Sequence, residues 1–144
     1  MDLRLTTRVA LGYLAAVSVQ VGIWALLAPR SFYDDFPGFG RAWVSIDGPF
    51  NEHLVRDVGA LNLALAVVLV AAAVRLTRSS VTTAAIAALA WGVPHAAYHA
   101  VETEGYATGD IVVSLTGLVV FAALPVALLV IVRPRLPETT GAAA

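Results

Sequence analysis

At 144 residues the chain is at most one domain, and with 59% hydrophobic and only 13% charged residues it falls well below the roughly 25% charge of an ordinary soluble domain. So short a chain has too much surface to hide that deficit in a core, whereas a bilayer accepts apolar side chains on the outside. The absence of cysteine excludes disulfides, thiolate metal sites and iron–sulfur clusters; the lone methionine, Met1, excludes an internal Met ligand; the nine basic residues are all Arg, which removes a Schiff-base lysine; and a net charge of −1 without a basic run argues against nucleic-acid binding.

The charge-free stretches predict an all-α fold: an integral membrane four-helix bundle in a single domain over 1–135, with helices at about 7–28, 52–75, 79–102 and 109–132. The first stretch, Val9–Ala28, ends at Pro29-Arg30. Its basic start resembles a signal peptide. Its length and the lack of a small-residue cleavage site make it a retained helix. The segment 29–51 is the one long connection and holds Phe32, Tyr33, Phe36, Phe39, Trp43 and Phe50 among Asp34, Asp35 and Arg41. Aromatics at this density suit the headgroup region, as an interfacial anchor or as a lid over the bundle mouth. Ser31–Phe36 allows one or two helical turns, Asp47-Gly48-Pro49 is a turn, and Asn51 is the expected N-cap of the second helix.

The charge-free part of the second helix, Val58–Val74, is short for a span, so its first turns from Glu52 belong to the interface or the bundle interior. The third stretch, Ser79–Val101, contains Pro94. The fourth, Ile111–Val132, contains Pro125 and closes on Arg133-Pro134-Arg135. Small residues at Gly12, Gly22, Gly59 and Gly117 fit close helix packing, and Gln20 and Asn62 read as interhelix hydrogen-bonding groups. The segment 136–144 reads as a disordered tail.

Arginine counting sets the orientation. With both termini in the cytoplasm (N-in, C-in), Arg4, Arg8, Arg75, Arg78, Arg133 and Arg135 lie inside and Arg30, Arg41 and Arg56 outside. This obeys the positive-inside rule and makes a multi-pass protein of the cell membrane. The acids gather on the outer side, at Asp34, Asp35, Asp47, Glu52, Asp57, Glu102, Glu104 and Asp110.

One polar cluster stands out. His53 and Asp57 share a face of the second helix, and Glu52 and Arg56, four apart, form an expected ion pair beside them. In the third helix His95, His99 and Glu102 fall within an arc of roughly 60°, flanked by Trp91 and Tyr98. An antiparallel pairing sets Asp57 near His95 or His99 and His53 near Glu102. Three readings of this set remain open. It fastens the helices together as a structural network. It holds a transition metal, where imidazole and carboxylate without sulfur suit zinc, iron or copper, or it ligates haem through histidines of two helices. Or it lines a pocket for a lipophilic small molecule, a quinone or a lipid, with His and Asp as hydrogen-bonding or acid–base groups. Whether the protein is an enzyme stays open with them.

Three motifs carry a resemblance. Pro29-Arg-Ser-Phe-Tyr-Asp-Asp-Phe-Pro-Gly38, Gly48-Pro-Phe-Asn-Glu-His-Leu-Val-Arg-Asp57 and Pro94-His-Ala-Ala-Tyr-His99 resemble those of small four-helix bacterial membrane proteins of unknown function. These are broadly similar to the DoxX-like proteins in size and topology. The resemblance implies four helices and no assigned activity; the association of DoxX-like proteins with quinone redox chemistry is an analogy of fold.

Overall fold

The computed structural model describes residues 2–138 and is all-α apart from one small hairpin. Helix α1 spans Leu3–Leu27, opened by Asp2, whose carboxylate accepts from the Arg4 backbone N–H at 2.9 Å. Pro29 starts the short α2, Pro29–Asp35, where its missing N–H is not needed. Two-residue strands β1 (Pro37–Gly38) and β2 (Arg41–Ala42) pair antiparallel. Their turn places Phe39 and Gly40 in the left-handed region, at φ 59° and 74°, the geometry that matches the twist of a tight hairpin. Phe39 is thrust fully into the open at its tip.

Helix α3, Glu52–Arg75, begins where the Asn51 side chain accepts from Leu54 N–H at 3.1 Å. It ends at Leu76, whose left-handed backbone (φ 49°) turns the chain within two residues into α4, Arg78–Val101. Thr77 and Ser80 cap α4 reciprocally, each side chain accepting from the other's backbone N–H. Helix α5, Thr108–Ala127, runs on through a π-helical turn at Leu128–Val132 and a 3-10 turn at Arg133–Arg135. Pro94 and Pro125 sit inside α4 and α5.

Of these helices α1, α3 and the continuous stretch Thr108–Arg135 are long and apolar enough to cross a membrane. Their outward side chains, Leu61, Val67, Val74, Val119, Val130 and Ile131 among them, are exposed aliphatics suited to lipid. Helix α4 is as long, but Ser79, Ser80, Thr82, Thr83, His95 and His99 dilute its aliphatic character.

The closest packing joins α1 to α3, where two glycines let the backbones meet. A Cβ at Gly59 would lie 2.6 Å from the Leu26 backbone nitrogen and 2.9 Å from the Gly22 carbonyl oxygen. Gly12 and Gly117 have open space instead, so they play no part in helix packing. Gln20 is exposed on α1, and Asn62 donates to the Val58 carbonyl of its own helix at 2.9 Å, so neither makes the interhelix bond expected of it.

The main core fills one half of the molecule, with Leu11, Leu14, Leu69, Leu76, Val81 and Leu128 excluded from solvent. Leu136 is buried in it and the Pro137 carbonyl accepts from the Arg78 backbone N–H at 2.8 Å. The chain thus stays packed at the start of the expected tail, because Leu136 finds an apolar seat; 139–144 lies outside the described residues. A smaller cluster, Ala25, Phe32 and Val55 with Trp24, Phe36, Val44 and Phe50, seats the 29–51 connection on the other half.

Candidate functional site

Between these two cores the helices line a partly open cavity of about 510 Å³, within the usual range for small-molecule sites. Each helix contributes the residues that recur on its inner face. On α1 these are Tyr13, Val17 and Val21; on α3, Val55, Val58 and Asn62; on α4, Trp91, Gly92, His95 and His99; on α5, Val113, Ser114, Gly117, Leu118 and Phe121. Phe32, Phe36, Trp43, Val44 and Asp47 close it from the 29–51 connection, together with Tyr106 from the α4–α5 turn.

One wall is a column of rings along α4. Trp91 stacks on His95 with centroids 5.1 Å apart and planes 17° from parallel; His95 meets His99 edge-on at 4.7 Å; His99 meets Tyr106 at 6.4 Å. Spacings of four residues put Trp91, His95 and His99 on one side of the helix. The roof is aromatic as well, with Phe32 to Phe36 at 4.8 Å and Phe36 to Trp43 at 6.1 Å.

Two polar ties hold the roof to the α4–α5 end. Arg41 pairs with Asp110 in the first turn of α5. The Tyr106 hydroxyl lies 2.8 Å from the Trp43 carbonyl and 2.9 Å from the Asp47 carboxylate and shares its one proton between them. Burial, then the bond to Asp47 and its negative charge, push the Tyr106 phenol above its ordinary pKa.

Asn62, in the cavity wall, is almost wholly buried, and its one bond, to Val58, uses only one of its N–H groups. Buried polar groups are ordinarily satisfied, so its remaining donor and acceptor are where an occupant would be held. The Trp43 indole N–H has no acceptor among the described residues, but it is sealed within the roof and does not open onto the cavity.

The five residues singled out by sequence are divided. His95 and His99 line the cavity. His53 and Asp57 sit together on α3, Nδ1 to Oδ2 3.5 Å, but their side chains are 89% and 56% exposed. At about 100° per residue their face is opposite the one carrying Val55, Val58 and Asn62. Glu102 is exposed just past the end of α4, where helical spacing no longer holds it beside the histidines. Among the described residues Asp57 pairs with His53 and with no histidine of α4, and His53 makes no ion pair with Glu102. Among the described residues no three His, Asp or Glu side chains come together in a way that could hold a metal ion. Glu52 and Arg56 do pair, at 2.8 Å, and Arg56 also donates to the Leu26 carbonyl of α1. Tyr106 and Asp47, absent from the cluster expected from sequence, lie in connections without periodicity; Trp43 is one of the aromatics of the 29–51 segment expected to be an anchor or a lid. Asn62 carried a signal, since it points away from His53 along α3 and the two cannot face one cavity.

Comparison with protein-family models, with curated proteins and with solved structures finds no match for this chain.

Proposed function

We propose that the protein is a multi-pass membrane protein whose four long helices form a bundle, with both termini in the cytoplasm, and that its outer half binds a lipophilic small molecule. The observation that carries the binding reading is the cavity of about 510 Å³. Aliphatic and aromatic side chains dominate its walls, and a few polar groups converge on it, the pattern of a small-molecule site. A quinone or a lipid belongs to that class.

The topology draws support from the connections. Two residues join α3 to α4, so α4 must run back alongside α3. At 1.5 Å per residue its length reaches roughly 36 Å, enough for a hydrocarbon core of about 30 Å. Arg8 reaches the Ala73 carbonyl at 3.3 Å and Arg78 pairs with Glu138. The arginine-bearing ends of α1, α3, α4 and the chain's last turns therefore share one side, as the positive-inside rule asks.

The test is retention. Protein extracted in a mild detergent is washed, extracted with organic solvent and analysed by mass spectrometry. The expected result is one lipophilic compound in stoichiometric amount, lost when Ser114→Phe fills the cavity and reduced in His95→Leu. Equal recovery of bulk lipid from all three proteins would refute the reading, and stoichiometric zinc, iron or copper that disappears in a His95→Ala, His99→Ala double variant would replace it with a metal site. Because the chain has no cysteine, single cysteines report topology cleanly. An impermeant maleimide added to intact cells is expected to label Phe39→Cys and to leave Leu5→Cys untouched; the reverse pattern overturns the orientation.

A further inference from the structure

The cavity has a side as well as a roof. Helices α1 and α3 pack closely, as do α3 with α4 and α4 with α5, but α1 meets the α5 stretch closely only at its terminal turn, Leu128–Val132. Higher up, toward the roof, the two helices leave a gap. The residues bordering it line the cavity and keep much of their surface uncovered by protein: Tyr13 is 44% exposed, Val113 is 52% exposed and Gly117 is exposed with nothing within 4 Å of a Cβ position. Meanwhile Arg41–Asp110 and Tyr106–Asp47 tie the roof down at the end that faces water. The open side faces lipid and the tied side faces water.

Charge narrows what can enter. Among the described residues no arginine lines the cavity, and the one carboxylate that does is Asp47. The nearest cations are engaged, Arg41 with Asp110 and Arg56 with Glu52 and the Leu26 carbonyl. A phosphate or carboxylate taken into this apolar space would have no counter-charge and would face Asp47, which is costly in a low-dielectric site. The polar groups in its walls suit a neutral head: Asn62 offers an amide, and His95 and His99 imidazoles that both donate and accept when neutral.

Resting on the small-molecule reading above, we propose that the ligand is an uncharged, hydroxyl-bearing amphiphile that enters sideways from the bilayer between α1 and α5. Its head lies against the His95–His99 wall beneath Trp43 and its hydrocarbon tail leaves past Tyr13 and Gly117. Asn62 marks the inner limit of the polar part, since Phe121 and Val17 bound the remainder.

The experiment uses the full chain in nanodiscs of phosphatidylcholine with a long-chain fatty alcohol carrying a diazirine, and the fatty acid of equal length as its anionic counterpart. After photolysis, labelled peptides are mapped by mass spectrometry. The alcohol is expected to label the peptides holding Tyr13, Val113 and His95–His99. The acid should label these at least tenfold less. Gly117→Phe and, independently, Val113→Phe should abolish labelling at His95–His99, while Tyr13→Ala increases it; native elution on size exclusion certifies each variant. Labelling of the histidine segment that ignores Gly117→Phe and Val113→Phe but rises in Trp43→Ala overturns the lateral entrance and leaves the cavity reading standing. Equal labelling by the acid overturns the neutral head alone. Labelling confined to outward α5 positions such as Val119 overturns this inference and the small-molecule reading together.

Discussion

Replacing Gly59 by alanine tests the packing on which the cavity depends. The added methyl would sit 2.6 Å from the Leu26 backbone nitrogen, where ordinary contact begins near 3.4 Å, so α1 must withdraw by about 0.8 Å or the helices must rotate. The obstacle is backbone, which no rotamer change relieves. Overpacking of this kind costs about 1–3 kcal/mol, so the unfolding equilibrium constant should rise roughly 5- to 150-fold. At Gly22 the clash is with the Leu63 side chain at 2.7 Å, which can partly give, so the loss there should be smaller. Gly12→Ala meets nothing and removes a helix-weakening glycine, so it should gain up to about 1 kcal/mol. The assay is helical circular dichroism of the purified proteins across a graded denaturing-detergent titration. The expected order of stability is Gly12→Ala, wild type, Gly22→Ala, Gly59→Ala. If Gly59→Ala unfolds no more readily than Gly12→Ala, the α1–α3 approach is not as close as described, and the inner face assigned to α3 falls with it.

Three further outcomes follow from the roof. The Tyr106 phenol is held above its ordinary value of 10.0, so the neutral form's contribution to stability is complete below pH 10.0 and is lost as pH climbs through the raised folded-state value. A near-ultraviolet phenolate titration should show one tyrosine ionising late, absent from Tyr106→Phe; four tyrosines titrating alike would count against the buried tie. Trp43→Phe removes an N–H that is buried without a partner among the described residues, so thermal stability should hold or rise; a loss of about 1 kcal/mol or more would mean that this N–H is hydrogen-bonded. Arg41→Ala frees the first tie, so chymotrypsin should cut after the exposed Phe39 severalfold faster in that variant, with the helices intact by circular dichroism; an unchanged rate means the Arg41–Asp110 pair does not restrain the roof.

Much of the helical framework could be read from the sequence because charge-free stretches bounded by Asn51, arginines and prolines leave the backbone no alternative to helix in an apolar setting. Rotation about each helix axis was harder to read. His53 and Asp57 are polar neighbours on one face, yet that face of α3 lies opposite Gly59's side of the helix, where α1 packs, and both side chains stay exposed. The orienting information was in Gly59, Asn62 and Val55, but only the close approach of α1 reveals that these look inward. Helix α4 was easier, since Trp91, His95 and His99 repeat every four residues, although Glu102 fell beyond the helix end. Tyr106 and Asp47 meet across two connections 59 residues apart in the chain, a pairing that no local pattern encodes.

The hollow between the two cores changes how the folded state should be defined. A hollow of about 510 Å³ that is open on one side does not stay empty. Whatever fills it, a lipid tail, a detergent chain or the proposed ligand, makes contacts with its walls and so contributes to how stable the folded protein is. Stability measured after delipidation therefore describes a different thermodynamic species from the one in the bilayer, and the choice of detergent becomes a choice of binding partner.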